Sequence, residues 1–165
     1  MAVIKRIVYA DDLKRCLELI HGSFMTVAEE FGLTPENSPT NGAFLPLERL
    51  RADFERGCLM FGMYDGGKIV GFMQLTGKDG GVYELGRLAV LPACRHRGLG
   101  AEMLAFANRR VAALGGRKIT AGIIEDNVRL KKWYVAHDFY STGTARFPHL
   151  PFTVGFMETQ CGVFP

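Results

Sequence analysis

The chain contains no run of about 18 apolar residues, so no segment of it reads as a membrane span. It contains no Cys-x-x-Cys either. Its four cysteines, Cys16, Cys58, Cys94 and Cys161, are scattered, which suits small core residues of a reducing compartment better than disulfides or zinc ligands. The four histidines, His21, His96, His137 and His149, show no metal-ligand spacing, so no metal is expected. No Ser-His-Asp or Cys-His order stands out, and no internal repeat or low-complexity tract interrupts the sequence. The opening residues alternate like a strand and lack the apolar core and cleavage site of a secretory signal. Together these absences make a cytoplasmic protein with no membrane partner the expectation.

What is present is globular. A length of 165 residues, with 48% hydrophobic and 22% charged, fits one domain spanning 1–165. Such a chain buries roughly 70% of its unfolded surface, enough for a real core. The net charge of +3 conceals an asymmetry: from Arg87 to Lys132 there are ten Lys/Arg against three Asp/Glu. A basic segment points to a polyanionic ligand, either nucleic acid or a cofactor carrying a pyrophosphate. The aromatics do not interleave with the basic residues as a base-stacking platform needs, so no nucleic-acid partner is expected.

Residues 4–8 read as a first strand. Asp11 or Asp12 can cap a helix with Leu13, Cys16, Leu17, Ile20 and Phe24 at helical spacing, ending at Gly32. The stretch from Gly32 to Gly42 is dense in turn formers, and a short helix follows near Leu47–Arg56. Cys58–Tyr64, Lys68–Thr76 and Val82–Val90 read as three meandering strands, joined by the turns Asp65-Gly66-Gly67 and Gly77–Gly81. A helix to Ala113 ends at Gly115-Gly116, and Arg117–Ile124 is a strand. Asp126 or Asn127 caps a helix carrying Leu130, Trp133 and Tyr134, and runs near Phe139–Phe147 and Phe152–Gln160 close the chain. The order is β-α-α-β-β-β-α-β-α-β-β, an α/β class with a mixed sheet.

The densest chemical signal lies between Glu84 and Ala113. A strand ends in Leu88-Ala89-Val90, a proline follows, and Arg95-His96-Arg97-Gly98-Leu99-Gly100 opens a helix. Glycines let the backbone approach an anion, and the unengaged N–H groups and dipole of a helix start favour negative charge. Arg95 and Arg97 are expected to add fixed positive charge. The pattern is neither a P-loop nor Gly-x-Gly-x-x-Gly, since Met103 stands where the third glycine would be. It is Arg-x-x-Gly-x-Gly after a strand.

In that context the sequence resembles the GNAT superfamily of acetyl-coenzyme-A-dependent N-acetyltransferases, and the order of elements matches that fold across essentially the whole chain. The resemblance implies a single-domain, mixed, largely antiparallel sheet flanked by helices. It implies that Arg95, His96, Arg97, Gly98, Leu99, Gly100 and Ala101 hold the pyrophosphate of acetyl-coenzyme A. The backbone of Leu88, Ala89 and Val90 is then expected to track the pantetheine arm and to offer the oxyanion donor. Asn-Val-Arg-Leu-Lys-Lys-Trp-Tyr, from Asn127 to Tyr134, resembles the family's second signature, which casts Asn127 as a cofactor contact and Tyr134 as proton donor to the thiolate. Asp138 stands where that signature has glycine.

Glu84, read as sharing a strand face with Gly86, Leu88 and Val90, is the candidate base. Its other readings are a solvent-edge glutamate and a partner of Arg87. His149, between two prolines, is the candidate for binding the acceptor, or else a surface histidine; His137 is a further candidate. Cys94 beside the loop is not required by direct transfer. The resemblance implies an enzyme acting on an amine of a small molecule or protein, with a non-catalytic acyl-coenzyme-A sensor on the same fold as the alternative. It also admits a homodimer. The residues that would choose the acceptor fall in Phe31–Leu47 and Phe147–Gly155.

Overall fold

A computed structural model describes residues 1–162. Strand β1 (Ala2–Arg6) leads to α1 (Leu13–Phe31) and α2 (Leu47–Glu55), then to β2 (Leu59–Asp65), β3 (Lys68–Gly77) and β4 (Val82–Val90). After these come α3 (Leu99–Ala113), β5 (Lys118–Ile124), α4 (Val128–Ala136), β6 (Tyr140–Arg146) and β7 (Thr153–Gln160). The seven strands form one sheet in the order β1-β2-β3-β4-β5-β7-β6. Every neighbouring pair is antiparallel except β4 with β5.

Helices α1 and α2 cover one face of the sheet, where Leu13, Ile20 and Leu50 meet Met60, Phe72 and Ala89. Helices α3 and α4 cover the other, where Met103, Val111 and Tyr134 meet Phe61, Met73 and Met157. Strands β2 and β3 are therefore buried on both faces, which is why their sequences are apolar without alternation. A third, smaller cluster joins Ala28, Leu33 and Ala43 to Ile124 of β5, with Phe24, Phe31, Phe44 and Phe152 packed against it. It brings the α1–α2 connection against the end of β5 and the β6–β7 connection.

Most punctuation falls where the sequence places it. Gly32 ends α1 in the left-handed conformation at φ 65°. Gly116 N–H returns to the Val111 carbonyl at 2.8 Å and Gly115 N–H to that of Ala112 at 3.0 Å, closing α3 in a Schellman arrangement. Two expectations move. Strand β1 begins and ends two residues early because Ala2–Arg6 pair with Asp65–Phe61, and a 3-10 turn at Ala10–Asp12 leaves Val8 exposed. Asp12 stands at the start of α1 without capping it; its carboxylate accepts from Arg15 at 2.9 Å instead.

Candidate active site

Strands β4 and β5 pair only from Val82–Glu84 to Lys118–Thr120. Past that rung they part, and a gap opens in the middle of the sheet. The β4 side of the gap is shaped by a bulge. Its register with β3 passes from Gln74↔Gly86 to Phe72↔Ala89, so Arg87 and Leu88 together stand opposite Met73. Arg87 takes φ 51°, a left-handed value uncommon for a long side chain. The bulge reverses the face alternation. Leu85 belongs to the cluster under α3 and α4 and Ala89 to the one under α1 and α2, although they lie four positions apart. Glu84 therefore does not share a face with Leu88 and Val90 as expected. It lies with Gly86 and Gln74 on the α1/α2 side, exposed, at the last paired rung. Its reading as a partner of Arg87 is not met, because Arg87 is engaged elsewhere.

Leu91 donates its N–H to the Val70 carbonyl at 2.9 Å. Backbone groups alternate sides along a strand, so Ala89 also points its N–H and carbonyl toward β3, and Val90 turns its own into the gap. Of the expected backbone track, Ala89 is thus spoken for by β3. The Val90 carbonyl accepts from the Ser23 hydroxyl at 3.1 Å and from Arg95 Nε at 3.3 Å. The Val90 N–H is the group left facing the gap.

The loop after β4 reaches α3 through two left-handed residues, His96 at φ 63° and Gly98 at φ 77°. The first helical bond of α3 runs from Glu102 N–H to the Gly98 carbonyl at 3.1 Å. The N–H groups of Leu99, Gly100 and Ala101 consequently have no intrahelical acceptor. A Cβ built at Gly98 meets nothing within 4 Å, so the space in front of the helix start is open. At Gly100 a Cβ comes within 3.0 Å of the Trp133 ring, so this glycine serves the packing of α3 on α4.

Of the two arginines only Arg97 has its charge paired with an acid; the acceptors of Arg95 are neutral, so its positive charge stands as expected, though its guanidinium is held by α1. Arg95 turns inward onto α1, donating from Nη2 to the Ser23 carbonyl at 2.8 Å and from Nη1 to the Thr26 hydroxyl at 3.1 Å. Arg97 pairs with Asp65 at the end of β2 at 2.9 Å, holding that carboxyl below its usual range. The donors that face the open space are chiefly backbone.

On the other side of the gap, Asn127 caps α4, its Oδ1 accepting from the Leu130 N–H at 3.2 Å. Among the described residues its amide NH2 has no acceptor. Tyr134 lies two turns along, about 10 Å by helix rise. It is buried, packed edge-on to Trp133 and Phe139 at centroid distances of 5.1 and 5.0 Å. Burial pushes its phenol above the ordinary value, so it stays protonated. Among the described residues its hydroxyl has no hydrogen-bond partner. Asp138 adopts φ 69°, the left-handed turn expected of the glycine it stands for. His137 is held against the end of α4, its Nδ1 2.7 Å from the Trp133 carbonyl. His149 is exposed in the β6–β7 connection, 5.8 Å from the Phe147 ring. The structure brings Glu84, Val90, the Arg95–Ala101 loop and α4 to the borders of the gap, and places His149 exposed on the β6–β7 connection.

Sequence reasoning missed a buried polar group on the α1/α2 side. Asp53 of α2 is 3% exposed. Its carboxylate accepts from Arg87 Nη1 at 2.6 Å, from Gln74 Nε2 at 3.3 Å, and from Arg56. Burial alone raises this carboxyl; the hydrogen bonds from Arg87 and Gln74 and the charges of Arg87 and Arg56 outweigh that and leave it below the usual value. The signal that could have found it was Gly86 inside a strand run, a mark of bulges.

The model of the acetyltransferase (GNAT) family matches residues 24–139. No curated relative matches the chain. Among solved structures it is similar to the PaiA N-acetyltransferase of Thermoplasma acidophilum in complex with coenzyme A, at TM-score 0.77 and 17% identity over 97% of this chain and 99% of that one. It is similar also to the ribosomal-protein-S18-alanine N-acetyltransferase of Escherichia coli, at TM-score 0.78 and 15% identity over 100% and 97%. An N-acetyltransferase of Staphylococcus aureus Mu50 aligns at TM-score 0.72 and 16% identity over 97% and 98%.

Proposed function

Because the chain belongs to the GNAT acetyltransferase family, we propose that it transfers an acetyl group from acetyl-coenzyme A directly to a primary amine. The observation that carries this reading is the gap between β4 and β5, ending at a loop whose backbone donors have no intrahelical acceptor. The open space at Gly98 leaves room for the pyrophosphate there. The N–H groups of Leu99, Gly100 and Ala101 hold its charge, as anions at helix starts are held.

In the transfer, the amine nitrogen bonds to the thioester carbon and the carbon–sulfur bond breaks. The Val90 N–H stabilises the oxyanion that forms between these events. Tyr134 gives its proton to the departing sulfur, a role that suits a buried, protonated phenol without another partner. Glu84, exposed at the rung where the strands part, accepts the proton lost by the ammonium through water. The acceptor enters between the α1–α2 connection and the β6–β7 connection, which meet in the cluster of Phe24, Phe44 and Phe152, with His149 on the rim. The whole chain acts as one acetyltransferase domain in a reducing, cytoplasmic setting, which its unpaired cysteines suit.

The test is a thiol-release assay against an amine panel, beside thermal melting with acetyl-coenzyme A. The reading predicts a raised melting temperature and amine-dependent thiol release. No binding at millimolar ligand overturns it, and binding without release on any amine assigns the chain to acyl-coenzyme-A sensing.

A further inference from the structure

The cleft beside Arg87 bears on which amine is used, and any acceptor role for it rests on the acetyltransferase reading. It measures about 410 Å³ and lies between the α1–α2 connection, the start of α2 and β4, with Thr40, Leu45, Pro46 and Arg49 among its walls. It is an open cleft on the surface, not an enclosed cavity. Arg87 forms part of its lining. The Arg87 side chain is 17% exposed, and only Nη1 is engaged, donating to Asp53 Oδ2 and to Gln74 Oε1, both at 2.6 Å. Among the described residues Nε and Nη2 have no acceptor, and these two form the side of a guanidinium that grips a carboxylate through parallel bonds.

The charges around it are unbalanced. One carboxylate, Asp53, stands between two guanidinium groups, Arg87 and Arg56. At the rim Glu48 and Arg49 offset each other. Arg56 lies outside the lining, in which Arg49 and Arg87 stand against the single acid Glu48. The bulge fixes Arg87 in a left-handed conformation at φ 51°, a strain of the kind that persists at functional positions. It also sets Arg87 one strand step, about 3.3 Å, from Leu88 and the gap.

We propose that Arg87 binds a carboxylate of the acceptor, and that the acceptor is a small amino acid-like amine. The Asp53–Gln74 pair then acts as a positioning device: it holds one edge of the guanidinium so that the other edge faces the cleft. Gln74 contributes both an acceptor for Arg87 and a donor for Asp53.

The experiment measures acetylation of free amino acids against the decarboxylated amines of the same side chains, with acetyl-coenzyme A saturating. The expected result is a kcat/KM at least tenfold higher for the carboxylate-bearing member of each pair, expressed mainly in KM. Arg87→Met alone strands the buried Asp53, so the variant used is Asp53→Asn with Arg87→Met, checked for folding by its melting curve. In that variant the preference should vanish, read as the ratio of kcat/KM within each pair. Arg87→Lys, which keeps the charge without the fork, should lose most of the preference. Equal use of both members by the parent enzyme, or activity confined to carboxylate-free amines, overturns this inference and leaves the acetyltransferase reading standing. Inactivity on the whole panel likewise overturns this inference, whereas the acetyltransferase reading falls only if acetyl-coenzyme A fails to bind.

Discussion

Tyr134 has a hydroxyl whose removal should be felt by the chemistry and by little else. Because the group has no hydrogen-bond partner among the described residues, Tyr134→Phe should leave the melting temperature within a few degrees. It should lower kcat by about a hundredfold or more, the usual worth of a positioned proton donor, while acetyl-coenzyme A affinity measured by calorimetry stays within about twofold. Burial raises the phenol's pKa, so the protonated form persists above the ordinary phenol value near 10, and kcat should show no falling limb up to about pH 10. Glu84→Gln should lower kcat/KM by about tenfold or more in steady-state assays; an unchanged rate assigns the base to solvent. At this scale the sequence is readable where a residue answers to its neighbours: Asn127 caps the helix it precedes, and Asp138 turns left-handed at that helix's end. It is silent where the partner is far along the chain. Nothing near Arg95 announces that its guanidinium binds Ser23, 72 residues away, and nothing near Arg87 announces Asp53.

The β4–loop–α3 element separates two roles that the sequence pattern merges. Gly98 supplies a backbone conformation facing open space, while Arg95 ties the loop to α1. Gly98→Val forces a β-branched residue into φ 77°, which should cost about 1–2 kcal/mol in urea denaturation and weaken coenzyme A binding at least tenfold. Arg95→Met removes charge-assisted bonds to Ser23 and Thr26 and should cost about 1.5–3 kcal/mol, yet weaken coenzyme A less than Gly98→Val does. The opposite order would show that the arginine side chain holds the phosphates. The bulge is the element-scale feature that a period-of-two reading cannot see. One extra residue turned Glu84 away from the face of Leu88 and Val90, and Gly86 was its only local mark.

For the whole molecule, the two-sided burial of the sheet makes stability depend on the buried Asp53. Its folded pKa lies below the unfolded value, so the carboxylate contributes stability above the unfolded pKa near 3.9 and loses it as pH falls through the folded value. The melting temperature should therefore drop steeply below about pH 4, and Asp53→Asn should be less stable at neutral pH with a shallower acid slope. The architecture itself was legible because its signals are local and repeated: helix stripes, hairpin turns and glycine stops lie in the order the sheet needs. The parting of β4 from β5 was not, since it depends on where pairing ceases between strands separated by a helix. The resemblance to a known family supplied what those local signals do not contain.

The contact between Gly100 and Trp133 has a practical consequence. Trp133 is the sole tryptophan of the chain, and its indole rests on the first turn of α3 where the phosphates are proposed to bind, with Tyr134 as its sequence neighbour. Its emission is therefore a built-in optical probe of the loop. Titration with coenzyme A should change the intrinsic fluorescence without any label, and Trp133→Phe should abolish the signal while binding, followed by calorimetry, persists.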